Sequence, residues 1–64
     1  MCNNIKMLRL KKNLTQSDLA KKLNVSRQYL SSIERGEKIP SLKMSMKISK
    51  ILDTCIENIF FEAI

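Results

Sequence analysis

The sequence predicts an all-α protein that folds as one compact bundle of five helices. Apolar residues recur at three- and four-residue spacing along most of the chain, which is the period of amphipathic helices. No alternating apolar run is long enough for a central strand, and turns are few because the 64 residues include one Gly and one Pro. A chain this short is expected to form a single domain, here residues 1–64.

The first predicted helix covers about residues 4–12. Ile5 and Leu8 share its inward face, and Met7 is a further candidate for that face. Asn13 follows the helix, and asparagine tolerates the left-handed backbone conformation in which many helices end. We therefore expect the chain to turn at residue 13.

The second and third helices are predicted at about residues 15–23 and 26–35. Thr15 and Ser26 stand at their starts, where a hydroxyl oxygen can accept a bond from a free backbone N–H. Gly36 ends the third helix. Because the gap between the two helices is so short, they are expected to cross steeply.

That short connection requires a small side chain at the crossing and a left-handed residue in the turn. Ala20 is small enough for the crossing, and Asn24 suits a positive φ. The residues expected to fill the angle between the helices are apolar: Leu19, Ala20, Leu23, Val25, Leu30 and Ile33. The third helix should therefore protrude with its polar face free.

Two more helices complete the bundle. Pro40 disfavours helix at the residue before it, and Ser41 is placed to cap a fourth helix over about residues 42–52. Four apolar residues are expected on its inward face: Leu42, Met46, Ile48 and Leu52. A short fifth helix follows at about residues 56–61.

The free face of the third helix carries side chains suited to base edges. Its exposed positions are expected to be Arg27, Gln28, Ser31, Ser32 and Arg35. A helix fits the DNA major groove, where Arg can bond guanine and Gln can bond adenine through two hydrogen bonds each. The pattern favours a DNA-recognition helix over the alternative, a solvated face on an ordinary helical bundle.

The charge distribution agrees with a polyanionic partner. Residues 1–50 hold all 12 basic residues and three acidic ones, a net charge of +9, whereas residues 51–64 hold three acids and no base. A basic domain with an isoelectric point near 9.7 is typical of nucleic-acid binding, although solvated helical faces are often Lys-rich too.

The segment TQSDLAKKLNVSRQYLSSIERGEKIPSL resembles the helix-turn-helix family of phage repressors, Cro proteins and xenobiotic-response-type regulators. It shares the family's Thr-Gln start, its Leu-Ala, its Val-Ser-Arg-Gln, and its Ile-Glu-x-Gly followed by Pro-Ser-Leu. The resemblance extends from about residue 5 to residue 60 and is strongest to short stand-alone bacterial repressors such as the cytolysin repressor. It implies a regulator that binds operator DNA as a homodimer.

The resemblance also implies roles for individual residues. Arg27, Gln28 and Ser32 fall on base-reading positions, with Ser31 beside them. Together with the basic residues that follow the third helix, the candidate phosphate contacts are Gln16, Ser26, Tyr29, Arg35, Lys38 and Lys43. Tyr29 replaces a smaller residue of the family, so it either stacks on the sugar-phosphate backbone or packs inward.

Arg9 and Glu34 align with a paired Arg and Glu of the family. Arg9 shares a helix with the core-facing Ile5 and Leu8, and Glu34 follows Ile33. A buried charge without a partner is costly, so we predict a structural ion pair between them.

The C-terminal segment, residues 53–64, is predicted to mediate dimerisation. Phe60 and Phe61 point about 100° apart on a helix, so one small core cannot bury both. Ile56, Ile59 and Phe60 are expected mainly in the domain core. Phe61 and Ile64 are expected to be exposed in a monomer and, with Ile59, to form the dimer interface. Residues 61–64 could instead extend and pair with residues 1–3 as a short β-ribbon.

Other classes of function are poorly supported. The chain has no His, no Gly-rich loop and no cluster of acid, base and nucleophile, so neither an enzyme nor a cofactor, metal or small-molecule site is predicted. No apolar run suggests a signal peptide or membrane span. Cys2 and Cys55 are expected to be reduced thiols of a cytoplasmic protein, the alternative being a disulfide or redox sensor.

Two alternative functions remain open. One is an antitoxin-type regulator that also binds a protein toxin, and the other is a helical protein-interaction module with no nucleic-acid role. Binding to duplex DNA that weakens steeply with salt would separate a regulator from such a module.

Overall fold

The computed structural model describes residues 3–60, and within that range the protein is all-α, as predicted. Its five helices are α1 (Ile5–Lys11), α2 (Gln16–Leu23), α3 (Arg27–Glu34), α4 (Leu42–Ile51) and α5 (Ile56–Phe60). The predicted β-ribbon and the last residue of the predicted fifth helix lie outside the described residues. None of the helices in residues 3–60 combines the length and apolarity that crossing a bilayer requires.

Side-chain hydroxyls start three of the helices at the predicted residues. Thr15 accepts from the Asp18 backbone N–H at 3.0 Å, and Asp18 accepts from the Thr15 backbone N–H at 2.9 Å, so α2 begins with a reciprocal capping box. These bonds lower the pKa of Asp18. Ser26 and Ser41 cap α3 and α4 by accepting from backbone N–H groups at 3.0 and 3.1 Å.

The connection between α2 and α3 has the predicted geometry. Asn24 adopts a left-handed conformation with φ 60° and ψ 44°, and Asn13 at the end of α1 has φ 59°. Val25 N–H donates to the Ala20 carbonyl at 3.0 Å, which closes the turn tightly over the end of α2. Ala20 is 3% exposed and is part of the buried core.

The core is contributed by all five helices. Its buried apolar side chains are Ile5, Leu19, Ala20, Leu23, Leu30, Ile33, Ile48, Leu52 and Ile59. α2 packs against α3 and α4, and α5 packs against α1 and α4. One face of α3 is therefore fixed by the core, and the other is left exposed.

The predicted inward face of α4 is confirmed at Ile48 and at the following Leu52, which are buried, and is wrong at Leu42 and Met46, which are 71% and 49% exposed. Ser45, which was not predicted to face inward, is buried as well. Burying Ser45 costs little because its hydroxyl donates to the Ser41 carbonyl at 2.9 Å. Met7 of α1, a candidate for the core, is also half exposed.

Asn3 and Asn4, just before α1, form hydrogen bonds with residues of α3 and α5. Asn3 Nδ2 donates to the Ile33 carbonyl at 2.7 Å, while Asn3 Oδ1 accepts from the Ile5 backbone N–H at 3.1 Å. Asn4 N–H donates to the Ile59 carbonyl at 2.8 Å. These bonds hold the ends of α3 and α5 against the start of α1.

Candidate nucleic-acid interface

The exposed face of α3 gathers the residues that the sequence predicts as base readers. Arg27, Gln28, Ser31, Ser32 and Arg35 line one shallow depression on the surface. Their spacing of one, three or four residues places them on one side of a helix whose other side is anchored in the core. All five side chains are polar, and two of them are guanidinium groups. The first of the five residues, Arg27, is also the first residue of α3.

The two serine hydroxyls on this face have different bonding capacities. Ser32 Oγ donates to the Gln28 carbonyl at 3.0 Å, so the oxygen retains lone pairs to accept from adenine or cytosine amino groups. Ser31 Oγ accepts from Arg35 Nη1, so its hydrogen is left to donate to guanine or thymine acceptors. Both hydroxyls therefore keep hydrogen-bonding capacity for a ligand on this face.

A second feature is an open groove between the end of α1 and the start of α2. It is lined by Lys6, Arg9, Leu10, Asn13, Leu14, Thr15, Gln16, Ser17 and Arg27. Lys6 and Arg27 are exposed cations at this groove, and Thr15, Gln16 and Ser17 at the start of α2 also line it. Such a groove can accept a phosphate. The sequence did not single out Lys6, because its place at this groove depends on how the chain folds between α1 and α2.

A buried ion pair lies beneath the groove. Arg9 Nε is 2.9 Å from Glu34 Oε2, and the two side chains are 7% and 3% exposed. Arg9 Nη2 also donates to Glu34 Oε1 at 3.2 Å, and Nη1 donates to the Leu14 carbonyl at 2.8 Å. Every charge of the pair is thus met by hydrogen bonds, and α1 is joined to the end of α3.

The same carboxylate orients Gln16. Gln16 Nε2 donates to Glu34 Oε1 at 3.2 Å, which ties the first residue of α2 to the end of α3. The second hydrogen of Nε2 and the side-chain carbonyl remain to bond a ligand. The structure thus places this candidate phosphate contact beside Arg27 at one groove, already oriented by a buried partner.

The other candidate phosphate contacts are spread around α3 and the start of α4. Ser26 is exposed and its hydroxyl caps α3, while Lys43 is exposed in the first turn of α4. Tyr29 packs against the core and is half-buried, and the Lys38 ammonium lies 5.6 Å from its ring centroid. At that distance the ring attracts the cation, so Tyr29 has both an inward and a surface role in the structure.

Of the predicted dimer residues, Ile59 alone falls within the described part of the chain, and Phe61 and Ile64 lie outside it. Ile59 is fully buried, which confirms its expected place in the core. Its inclusion in the dimer interface is corrected on that ground, because its side chain has no exposed surface for a second chain. Cys55 is exposed, and Cys2 lies outside the described residues.

Comparisons with known proteins agree with this geometry. Residues 5–55 match the sequence profile of the helix-turn-helix family. An HTH-type transcriptional regulator of Methanocaldococcus jannaschii is 53% identical over 60 residues, which cover 94% of this chain and 91% of that relative.

Two solved structures are also similar. One is SinR of Bacillus subtilis, the master regulator for biofilm formation, in complex with DNA. It is 40% identical with a TM-score of 0.77, and the match covers 84% of this chain and 87% of that one. The other is the restriction-modification controller protein C.AhdI of Aeromonas hydrophila, 31% identical with a TM-score of 0.78, covering 86% and 83% of the two chains. These similar proteins are regulators and not enzymes.

Proposed function

This chain belongs to the Cro/C1-type helix-turn-helix family of DNA-binding transcriptional regulators, and from that premise we propose that it is a repressor that binds a palindromic operator as a homodimer. The observation that carries the proposal is the exposed face of α3, where five polar side chains surround one depression. A helix presented in this way can enter the major groove with its first turn at the base edges.

In this proposal base reading falls to the first part of α3. Arg27 bonds guanine and Gln28 bonds adenine, because each can form two hydrogen bonds with those bases in the major groove. Ser31 and Ser32 add two hydroxyls that can bond either kind of base edge. Gln16 then fixes the docking angle by bonding a phosphate at the groove beside Arg27, since phosphate contacts set register and orientation on the duplex.

Further phosphate contacts flank that helix. Ser26 stands at its start, and Lys38 and Lys43 follow its end, so the exposed face of α3 is bordered by polar and basic groups at both ends. Tyr29 contributes by holding the Lys38 ammonium against its ring. Arg35 can reach a phosphate once it leaves its partner Glu37.

A homodimer is supported by the size of the domain and by operator geometry. A 64-residue domain buries only about 60% of the surface that its unfolded chain exposes, so a partner chain adds to its stability. A two-fold dimer would place its two copies of α3 about 34 Å apart, one turn of DNA. We propose that the segment after α5, with Phe61 and Ile64, forms the contact between the chains.

Repression and location follow from the same act of binding. A repressor needs only to occupy DNA that overlaps a promoter, whereas an activator also needs a contact surface for the transcription machinery. Binding through the exposed face of α3 is enough to occupy such DNA, so we infer that the protein represses transcription. A protein that works on operator DNA acts in the compartment that contains it, and we infer a cytoplasmic location from that function.

Selection of binding sites from random duplexes tests the proposal. We expect enrichment of an inverted repeat whose half-sites lie one helical turn apart, and loss of enrichment for Arg27→Ala. Lys50→Ala removes the same charge from the last turn of α4 and should enrich the same repeat as the wild type. A wild-type protein that enriches no sequence would contradict the proposal, and enrichment of a single half-site would contradict the dimer.

A further inference from the structure

Arg35 is the last residue of the exposed face of α3, and it donates two hydrogen bonds to Glu37 in the loop that follows. Arg35 Nε donates to Glu37 Oε2 at 2.7 Å, and Arg35 Nη2 donates to Glu37 Oε1 at 3.2 Å. Both side chains are more than half exposed. These hydrogen bonds, together with the attraction of opposite charges, raise the pKa of Arg35 and lower the pKa of Glu37.

Glu37 is an isolated acid in a basic part of the sequence. Between residues 35 and 52 there are five basic residues, and Glu37 is the one acid. It precedes Lys38 in the segment that leads from α3 to α4, close to where a regulator of this kind would meet the DNA backbone. A free carboxylate at that position would repel phosphate. In this structure the Arg35 guanidinium neutralises the charge of Glu37.

We propose that Glu37 competes with DNA phosphate for Arg35 and thereby limits binding to nonspecific duplex. A carboxylate and a phosphate both present two oxygens to the planar fork of a guanidinium, so one can replace the other. On duplex that does not match the reading face, Arg35 stays on Glu37 and makes no phosphate contact. The inference rests on the proposed function, because it concerns how the same α3 face treats the wrong sequence.

Ser31 links the exchange of Arg35 between Glu37 and phosphate to the exposed face of α3. Arg35 bonds Glu37 and also donates to Ser31 Oγ, so one guanidinium is shared between the loop and α3. When Arg35 moves to a phosphate, Ser31 loses that donor and its hydroxyl is free to turn toward a base edge. The position of Arg35 is therefore coupled to what Ser31 can read.

Binding of random-sequence duplex, measured over a range of salt concentrations, tests the proposal. Glu37→Gln keeps the size of the side chain and removes its charge. It should bind this duplex about two- to fivefold more tightly, the effect typical of an exposed ion pair, with a salt slope steeper by about one unit for the added phosphate contact. Glu57→Gln makes the same charge change on α5 and should leave the slope unchanged.

The Arg35→Ala background separates competition from simple repulsion. There, Glu37→Gln should lose most of its gain, because no guanidinium remains to be released. An equal gain with and without Arg35, an equal gain from Glu57→Gln, or weaker binding by Glu37→Gln would each overturn the proposal. A wild-type protein that shows no salt-dependent duplex binding would instead overturn the proposed function itself.

Discussion

At the residue scale, the Arg9–Glu34 pair shows how a charge can be buried in a very small core. Glu34 accepts from both Arg9 and Gln16, so one carboxylate joins α1, α2 and α3. The pair was predictable, because Arg9 and Glu34 each neighbour core residues. Its extension to Gln16 was not, since that contact depends on how α2 and α3 cross in space.

We predict that Glu34→Ala is strongly destabilising. Removing one partner leaves Arg9 buried without a counter-charge, which costs about 3–5 kcal/mol, a large part of the stability of a small domain. Urea unfolding should show this loss, whereas Glu57→Ala on α5 should change little. The double variant Arg9→Met with Glu34→Leu should regain much of the stability, and a single-variant cost below about 1 kcal/mol would contradict a buried pair.

Lys38 gives a second prediction at this scale. If it contacts a phosphate, Lys38→Ala should weaken binding to all duplexes to a similar extent and lower the salt slope by about one unit. Lys50→Ala is the matched control, and its slope should equal that of the wild type. An unchanged salt slope for Lys38→Ala would assign the Lys38 side chain to the solvated surface, where its ammonium lies near the Tyr29 ring.

At the element scale, helix starts and turns were predictable because they are decided by neighbouring residues. Thr15, Ser26 and Ser41 cap their helices within three residues along the chain, and Asn24 turns it locally. The inward face of α4 was not, because Leu42, Met44, Met46 and Ile48 offer two competing apolar faces. Packing against α2 and α5 selects the face that includes Ser45, and sequence spacing does not show that choice.

The turn between α2 and α3 supplies the prediction at this scale. Asn24→Ala should destabilise the protein by about 1–2 kcal/mol, because a Cβ without a compensating side-chain bond is disfavoured in the left-handed region. Asn24→Gly should be close to neutral, since Gly takes a positive φ without a steric penalty. Thermal unfolding of both variants measures the difference, and equal stability of the Ala and Gly variants would contradict the geometry.

At the scale of the whole molecule, the sequence divides into a basic part, residues 1–50, and an acidic C-terminal segment, residues 51–64. The class of protein was predictable from the residues of the second and third helices, with the charge in agreement. The dimer surface was less predictable, because the apolar Ile59 suits both the core, where it was mainly expected, and the interface, to which it was also assigned. Its complete burial follows from the packing of α5 against α1 and α4.

The dimer is tested by sedimentation at micromolar concentration. We expect the wild type to be dimeric and Phe61→Asp to be monomeric with weakened operator binding, because a charge in an apolar interface is costly. Leu42→Asp introduces the same charge on the exposed side of α4 and should leave the dimer intact. Dissociation by Leu42→Asp but not by Phe61→Asp would move the interface to α4, and a monomeric wild type would contradict the dimer.

The central claim is that the exposed face of α3 reads base sequence, and competition binding with selected and altered operators tests it most directly. We predict that Arg27→Ala and Gln28→Ala each lose about 1–3 kcal/mol of operator binding, lose discrimination at particular base pairs, and keep most of their nonspecific affinity. Lys50→Ala should keep full discrimination. If Arg27→Ala and Gln28→Ala both distinguish operators as well as the wild type does, α3 is not the reading element and the account is contradicted.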